Sequence, residues 1–144
     1  MIWILPVIVQ GILMAVDEFY FHRRRGLPKW EIWGHPVDTL SVLLCLTLII
    51  LFPQMTWQYY LVPATVSCLC VTKDEWVHSE LCEPFEGWIH SLLFIIHPLV
   101  LWSFFELAKA HISFLFYLLL GLLVFLIYQI VFWGFLRKNE IKSN

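Results

Sequence analysis

A chain of 144 residues that is 60% hydrophobic and only 14% charged, with a mean hydropathy of +0.78, lies far from a soluble-domain mixture and reads as an all-α integral membrane protein. The net charge of −2, with Arg23-Arg24-Arg25 as the longest basic run, gives no nucleic acid a surface to bind. Nothing between the apolar segments is long enough for a separate soluble domain, so 1–144 is read as one transmembrane domain.

A span needs roughly 20 mostly apolar residues, and five segments qualify: about 2–21, 37–53, 57–72, 88–107 and 112–136. The first has no basic residue before it and no small-residue cleavage site after it, so it is expected to be a helix rather than a removable leader. It runs to about His22. Gly26-Leu27-Pro28 then turns the chain, and Pro28 is placed to start a second helix to about Phe52, loosened at Pro36. After a tight turn at 52–56, a third helix extends to about His78, and Ser79 to Pro84 turns the chain again. The fourth starts near Pro84 and passes His97-Pro98. A link at Lys109-Ala110-His111 leads into the fifth, apolar but for Gln129 and expected to carry no chemistry. Eight of the nine Lys and Arg residues fall on one side and Lys109 on the other, which predicts an N-terminus outside and a cytoplasmic C-terminus.

The polar residues are concentrated. Nine of the eleven acids lie in the bands 17–38 and 74–86, at two hairpin tips, with five of the six histidines in or just beyond them. One tip reads Asp17-Glu18-Phe-Tyr-Phe-His22, then Glu31-Ile-Trp-Gly-His35. The other reads Asp74-Glu75-Trp-Val-His78, then Glu86-Gly-Trp-Ile-His90. The offset between the copies drifts only from 57 to 55 residues. This duplication predicts two pseudo-symmetric helical hairpins, about 1–53 and 57–107, forming a four-helix bundle, plus the extra helix at about 112–136.

Each Glu lies three or four residues from its His, so the pair shares a helix face. Four such pairs on facing helices predict a two-metal site with Glu18, His22, Glu31, His35, Glu75, His78, Glu86 and His90 as ligands. Asp17, Asp38, Asp74, Cys82 and His97 are accessory candidates: Asp17 and Asp74 as groups orienting imidazoles or as solvated helix-end acids, Asp38 as an acid that could instead bond the backbone freed at Pro36, Cys82 as a ligand or redox thiol among carboxylates, and His97, some 10 Å deeper than His90, as an orienting or substrate-pocket group. Gln10 reads as an interhelical hydrogen bonder. Charge points the same way, because band two sets five acids against Lys73 alone. The excess over both bands is four negative charges, which two divalent cations would neutralise. The competing reading is a solvated rim of acids paired with arginines, and it does not account for the matched pairs.

In its helix-borne Glu and His pairs, with Glu75-x-x-His78 at the spacing such bundles use, the chain resembles the ferritin-like di-iron and di-manganese carboxylate proteins. That resemblance implies a pair of divalent metal ions. Imidazole with carboxylate suits iron first, then zinc or manganese. The expected function is a di-iron oxidoreductase (oxidase, hydroxylase or desaturase) that acts on a membrane lipid or another hydrophobic small molecule and is supplied by an external electron donor. The alternatives are a zinc-dependent membrane hydrolase using the same ligands and a metal or proton transport protein.

Overall fold

The structure, a computed structural model, describes residues 2–73 and 75–137, of Trp76 and Val77 the backbone alone. Asp74 of the predicted accessory set lies outside the described residues. Among those described there is no strand. Six helices follow one another: α1 (Ile4–Arg25), α2 (Lys29–Leu51), α3 (Trp57–Val71), α4 (Glu75–Leu81), α5 (Pro84–Ala108) and α6 (Ile112–Leu136).

Four of these, α1, α2, α5 and α6, are long and apolar enough to cross a membrane. Their outward faces carry exposed side chains such as Ile8, Leu44, Ile95 and Val124, an apolar surface suited to lipid. The predicted third span takes a different form. The helix there stops at Val71 after 15 residues, a rise of about 22 Å against a hydrocarbon core of about 30 Å. A turn at Thr72 and Lys73 then separates it from the short α4, so His78 does not ride on a continuation of α3.

Local chemistry explains the helix ends that matter for the site. Gly26 ends α1 with φ 77° and ψ 169°, a combination nearly closed to residues with a Cβ. Its amide still donates to the His22 carbonyl at 2.8 Å. Pro28 and Pro84 then start α2 and α5, since a proline at a helix start gives up only an amide that would have no intrahelical acceptor. Glu31 and Glu86 fall in the first turns that follow, where the helix dipole favours a carboxylate. Gly26→Ala is expected to destabilise the fold by about 1–3 kcal/mol, read as a lowered denaturation midpoint in detergent. No neighbour lies near the added Cβ, so the loss is one of backbone conformation.

Helix α2 is central and packs against α3, α5 and α6, while α1 packs chiefly on α5. The bundle divides along its axis. Cys45, Leu46 and Ile49 of α2 meet Val100, Leu101 and Phe104 of α5 in a dry core, joined by Tyr60 and Leu115. The opposite half, built from the end of α1, the starts of α2 and α5, and α4, is filled by charged and imidazole side chains.

Candidate metal centre

The two copies of the sequence pattern differ by one residue: three residues separate Glu18 from His22, and two separate Glu75 from His78. The structure absorbs the extra residue as a π-helical stretch, Asp17–His22, inside α1, the usual form of a single insertion in a helix. The wider turn stacks both acids on one imidazole. Asp17 Oδ2 lies 3.3 Å from His22 Nε2, and Glu18 Oε2 lies 3.5 Å from His22 Nδ1. All three side chains are buried.

Around them the described residues form three overlapping groups whose nitrogen and oxygen atoms lie within 4.8 Å of one another: Asp17, His22, Glu86 and His90; Glu18, His22 and His35; and Glu31, His35 and His78. The four imidazoles make a ring. His22 and His35 are 4.7 Å apart between centroids, and their counterparts His78 and His90 are 4.1 Å apart. Across the copies, His22 to His90 is 6.3 Å and His35 to His78 is 6.5 Å. Each copy's glutamate reaches the other copy's histidine: Glu31 Oε1 is 3.4 Å from His78 Nε2, and Glu86 Oε1 is 3.7 Å from His22 Nε2. Asp17 adds a hydrogen-bonding contact of 3.1 Å to His90 Nε2.

Set against the expected ligands, the cluster contains Glu18, His22, Glu31, His35, His78, Glu86 and His90, and takes Asp17 where the sequence offered Glu75. Glu75 is exposed. It is the first residue of the seven-residue α4, while His78, one turn further on, is buried. Asp38 is not in the three described groups; Lys73 Nζ lies 2.7 Å from both of its carboxylate oxygens. Cys82 Sγ lies 3.8 Å from Arg25 Nη2, and burial, with Glu86 beside it, pushes its thiol up to about 12. It is therefore a protonated thiol at neutral pH. Burial, then the nearby His90, pushes His78 down to about 3, which keeps its imidazole neutral and its lone pair available.

Two participants were not expected. Arg25, one of a triplet that looked like a topology signal, turns inward. Its Nη2 lies 2.9 Å from Glu31 Oε2 and 3.0 Å from Glu86 Oε1, and its Nε donates to that same Glu86 oxygen at 3.0 Å. One guanidinium thus joins the equivalent glutamates of the two copies. Helix α6, expected to be chemically silent, supplies Trp133, whose buried indole N–H donates to Glu18 Oε1, and Gln129, whose Oε1 accepts from Thr39 at 2.7 Å. A lone interior Gln and a Trp near a helix end were the only hints. Trp133→Phe keeps the ring but strands the Glu18 carboxylate, and a stability loss of about 1.5–3 kcal/mol is expected, measured by chemical unfolding.

The charge arithmetic changes accordingly. Glu80 and Glu83 are exposed along with Glu75, so the buried cluster holds Asp17, Glu18, Glu31 and Glu86 against Arg25. Three negative charges remain in the described cluster. One divalent cation leaves one negative charge and two leave one positive charge, so charge alone admits either number.

A cavity of about 120 Å³ adjoins the cluster. Asp17, His35, His78 and His90 line one end, Leu93, Phe94, Leu122 and Phe125 contribute apolar wall, and Gln10 and His97 lie at the other end. Against known proteins, the chain matches no family model, no curated protein and no solved structure.

Proposed function

We propose that this chain is a membrane-embedded metalloprotein with a binuclear His/carboxylate centre, working as a di-iron oxidoreductase on a hydrophobic substrate. The observation that carries the reading is the state of the imidazoles. Both ring nitrogens of His22 and of His78, and Nδ1 of His90, are buried without a hydrogen bond, although carboxylate oxygens stand 3.3–3.7 Å away from several of them. A buried polar atom left so costs about 1–3 kcal/mol; each neutral imidazole has one N–H and one lone pair, so the three rings bring three buried lone pairs into one cluster, and these call for an electrophile. A metal ion is that electrophile.

Asp17, His22, Glu86 and His90 would hold one ion, and Glu31, His35 and His78 the other, with Glu18 beside His22 and His35. Mixed imidazole and carboxylate donors suit iron, manganese or zinc. A bound iron pair would supply electron transfer to dioxygen. The protein's own groups do the rest. Arg25 fixes Glu31 and Glu86, Asp17 orients the His90 ring, and Trp133 pins Glu18. The apolar cavity walls admit a hydrophobic molecule beside the ligands and exclude water. A metal or proton pathway fits less well, because the dry core of Leu46, Ile49, Leu101 and Phe104 closes the bundle beyond the site.

The test is the optical spectrum and dioxygen uptake of protein purified without added metal. Ferric charge-transfer absorption that bleaches on reduction, with oxygen consumption stimulated by a reduced electron donor and a hydrophobic substrate, is the expected result. A colourless protein containing zinc and consuming no oxygen would overturn the oxidoreductase and leave the hydrolase.

A further inference from the structure

The far end of the cavity has a chemistry of its own. His97 on α5 is buried, with Nε2 3.0 Å from Ser67 Oγ and Nδ1 3.2 Å from Gln10 Nε2. Ser67 Oγ lies 2.8 Å from Ser41 Oγ, and the Ser41 hydroxyl donates to the Asp38 carbonyl at 2.8 Å.

That terminal carbonyl orients the whole chain, because each hydroxyl has one proton to give. Ser41 gives its proton to Asp38 O, so Ser67 must donate to Ser41. His97 then donates to Ser67 from Nε2–H, which leaves Nδ1 as an acceptor. Gln10 Nε2 fills that acceptor, and its second hydrogen faces Met14 Sδ at 3.9 Å. Both amide hydrogens are thereby used. Gln10 Oε1 is left as a buried acceptor without a partner on a residue lining the cavity. The residue is only 7% exposed.

We infer that Gln10 Oε1 receives the hydroxyl of an apolar alcohol or phenol whose hydrocarbon part lies between Leu93, Phe94, Leu122 and Phe125. A donor is required because Oε1 can only accept, and an apolar body is required by the walls. Size agrees: a cavity of about 150 Å³ lined by apolar side chains takes up benzene, and 120 Å³ suits one ring or a short length of chain. The hydroxyl end sits near His97, about 10 Å along α5 from His90, so the other end of the molecule faces the ligand cluster. The inference deepens the proposed function by naming the substrate class, and as a statement about that substrate it rests on the metal reading; binding itself does not need the metal.

The test therefore uses chelator-treated protein in lipid nanodiscs, with metal content measured separately on an untreated portion, so that a failed pocket and a failed metal centre are told apart. Binding of phenol is compared with toluene, and hexan-1-ol with hexane, by saturation-transfer NMR, with free concentrations set against empty nanodiscs. The hydroxyl compound of at least one pair should bind about tenfold tighter than its partner. Gln10→Met should bring that ratio to about one while retaining toluene binding, which shows the cavity intact. A preference for phenol alone assigns a ring-borne hydroxyl, and for hexan-1-ol alone a chain alcohol. Equal binding within both pairs, no binding of any probe, or a preference that survives Gln10→Met overturns the inference.

Discussion

His22→Ala is expected to strip the centre of the ion held with Asp17, Glu86 and His90 and to leave the ligands of the other, Glu31, His35 and His78, in place. The His22 imidazole belongs to two of the three ligand groups, touching Asp17 and Glu18 from its own helix and Glu86 from α5. Removing even a partner that merely orients a ligand lowers metal affinity about 10–100-fold, so loss of the shared imidazole should exceed about a hundredfold. Isothermal titration of the metal-free variant with ferrous iron under anaerobic conditions measures it. Glu75→Ala is the matched control: the sequence pattern assigns it a ligand's place, but the side chain is exposed, and its affinity should equal that of the parent. Equal losses in the two variants would mean that the ions are held elsewhere.

The second large effect is expected at Arg25. Arg25→Met removes the only positive side chain described in contact with both Glu31 and Glu86, whose carboxylates are 0% and 2% exposed. Breaking a buried pair from one side costs about 3–5 kcal/mol because the partner charge stays behind. The metal-free variant should therefore unfold at markedly lower denaturant than the metal-free parent. Loaded with metal, the two should differ much less, since the ions then compensate the same carboxylates. Opposite outcomes follow from a purely structural ion-pair cluster, in which metal would not narrow the gap.

The helix boundaries around the site were legible because Gly26, Pro28 and Pro84 act locally: φ preference and a missing amide need no tertiary context. The inward face of α5 was legible for a similar reason, since Glu86, His90 and His97 fall on one stripe of a long helix. What escaped the sequence was set by local irregularity and by distant contacts. The π-helical turn brought Asp17 onto the same imidazole as Glu18, and only the change of offset from 57 to 56 between the copies marked it. Glu75 moved outward because α3 ends at Val71, leaving α4 as a short helix with its own orientation. The roles of Arg25 and Trp133 depend on partners 61 and 115 residues away in sequence, and no periodicity reports such pairings. Asp38 and Lys73 are equally remote, 35 residues apart.

In the proposed function the buried His and carboxylate cluster holds two metal ions. The most direct measurement is the ratio of transition metal to protein in chain purified from native-like membranes in chelator-free buffer, determined by elemental analysis alongside amino-acid analysis. About two ions per chain, chiefly iron, are expected in the parent and in Glu75→Ala, with His22→Ala close to one. A parent chain carrying no transition metal would contradict the claim.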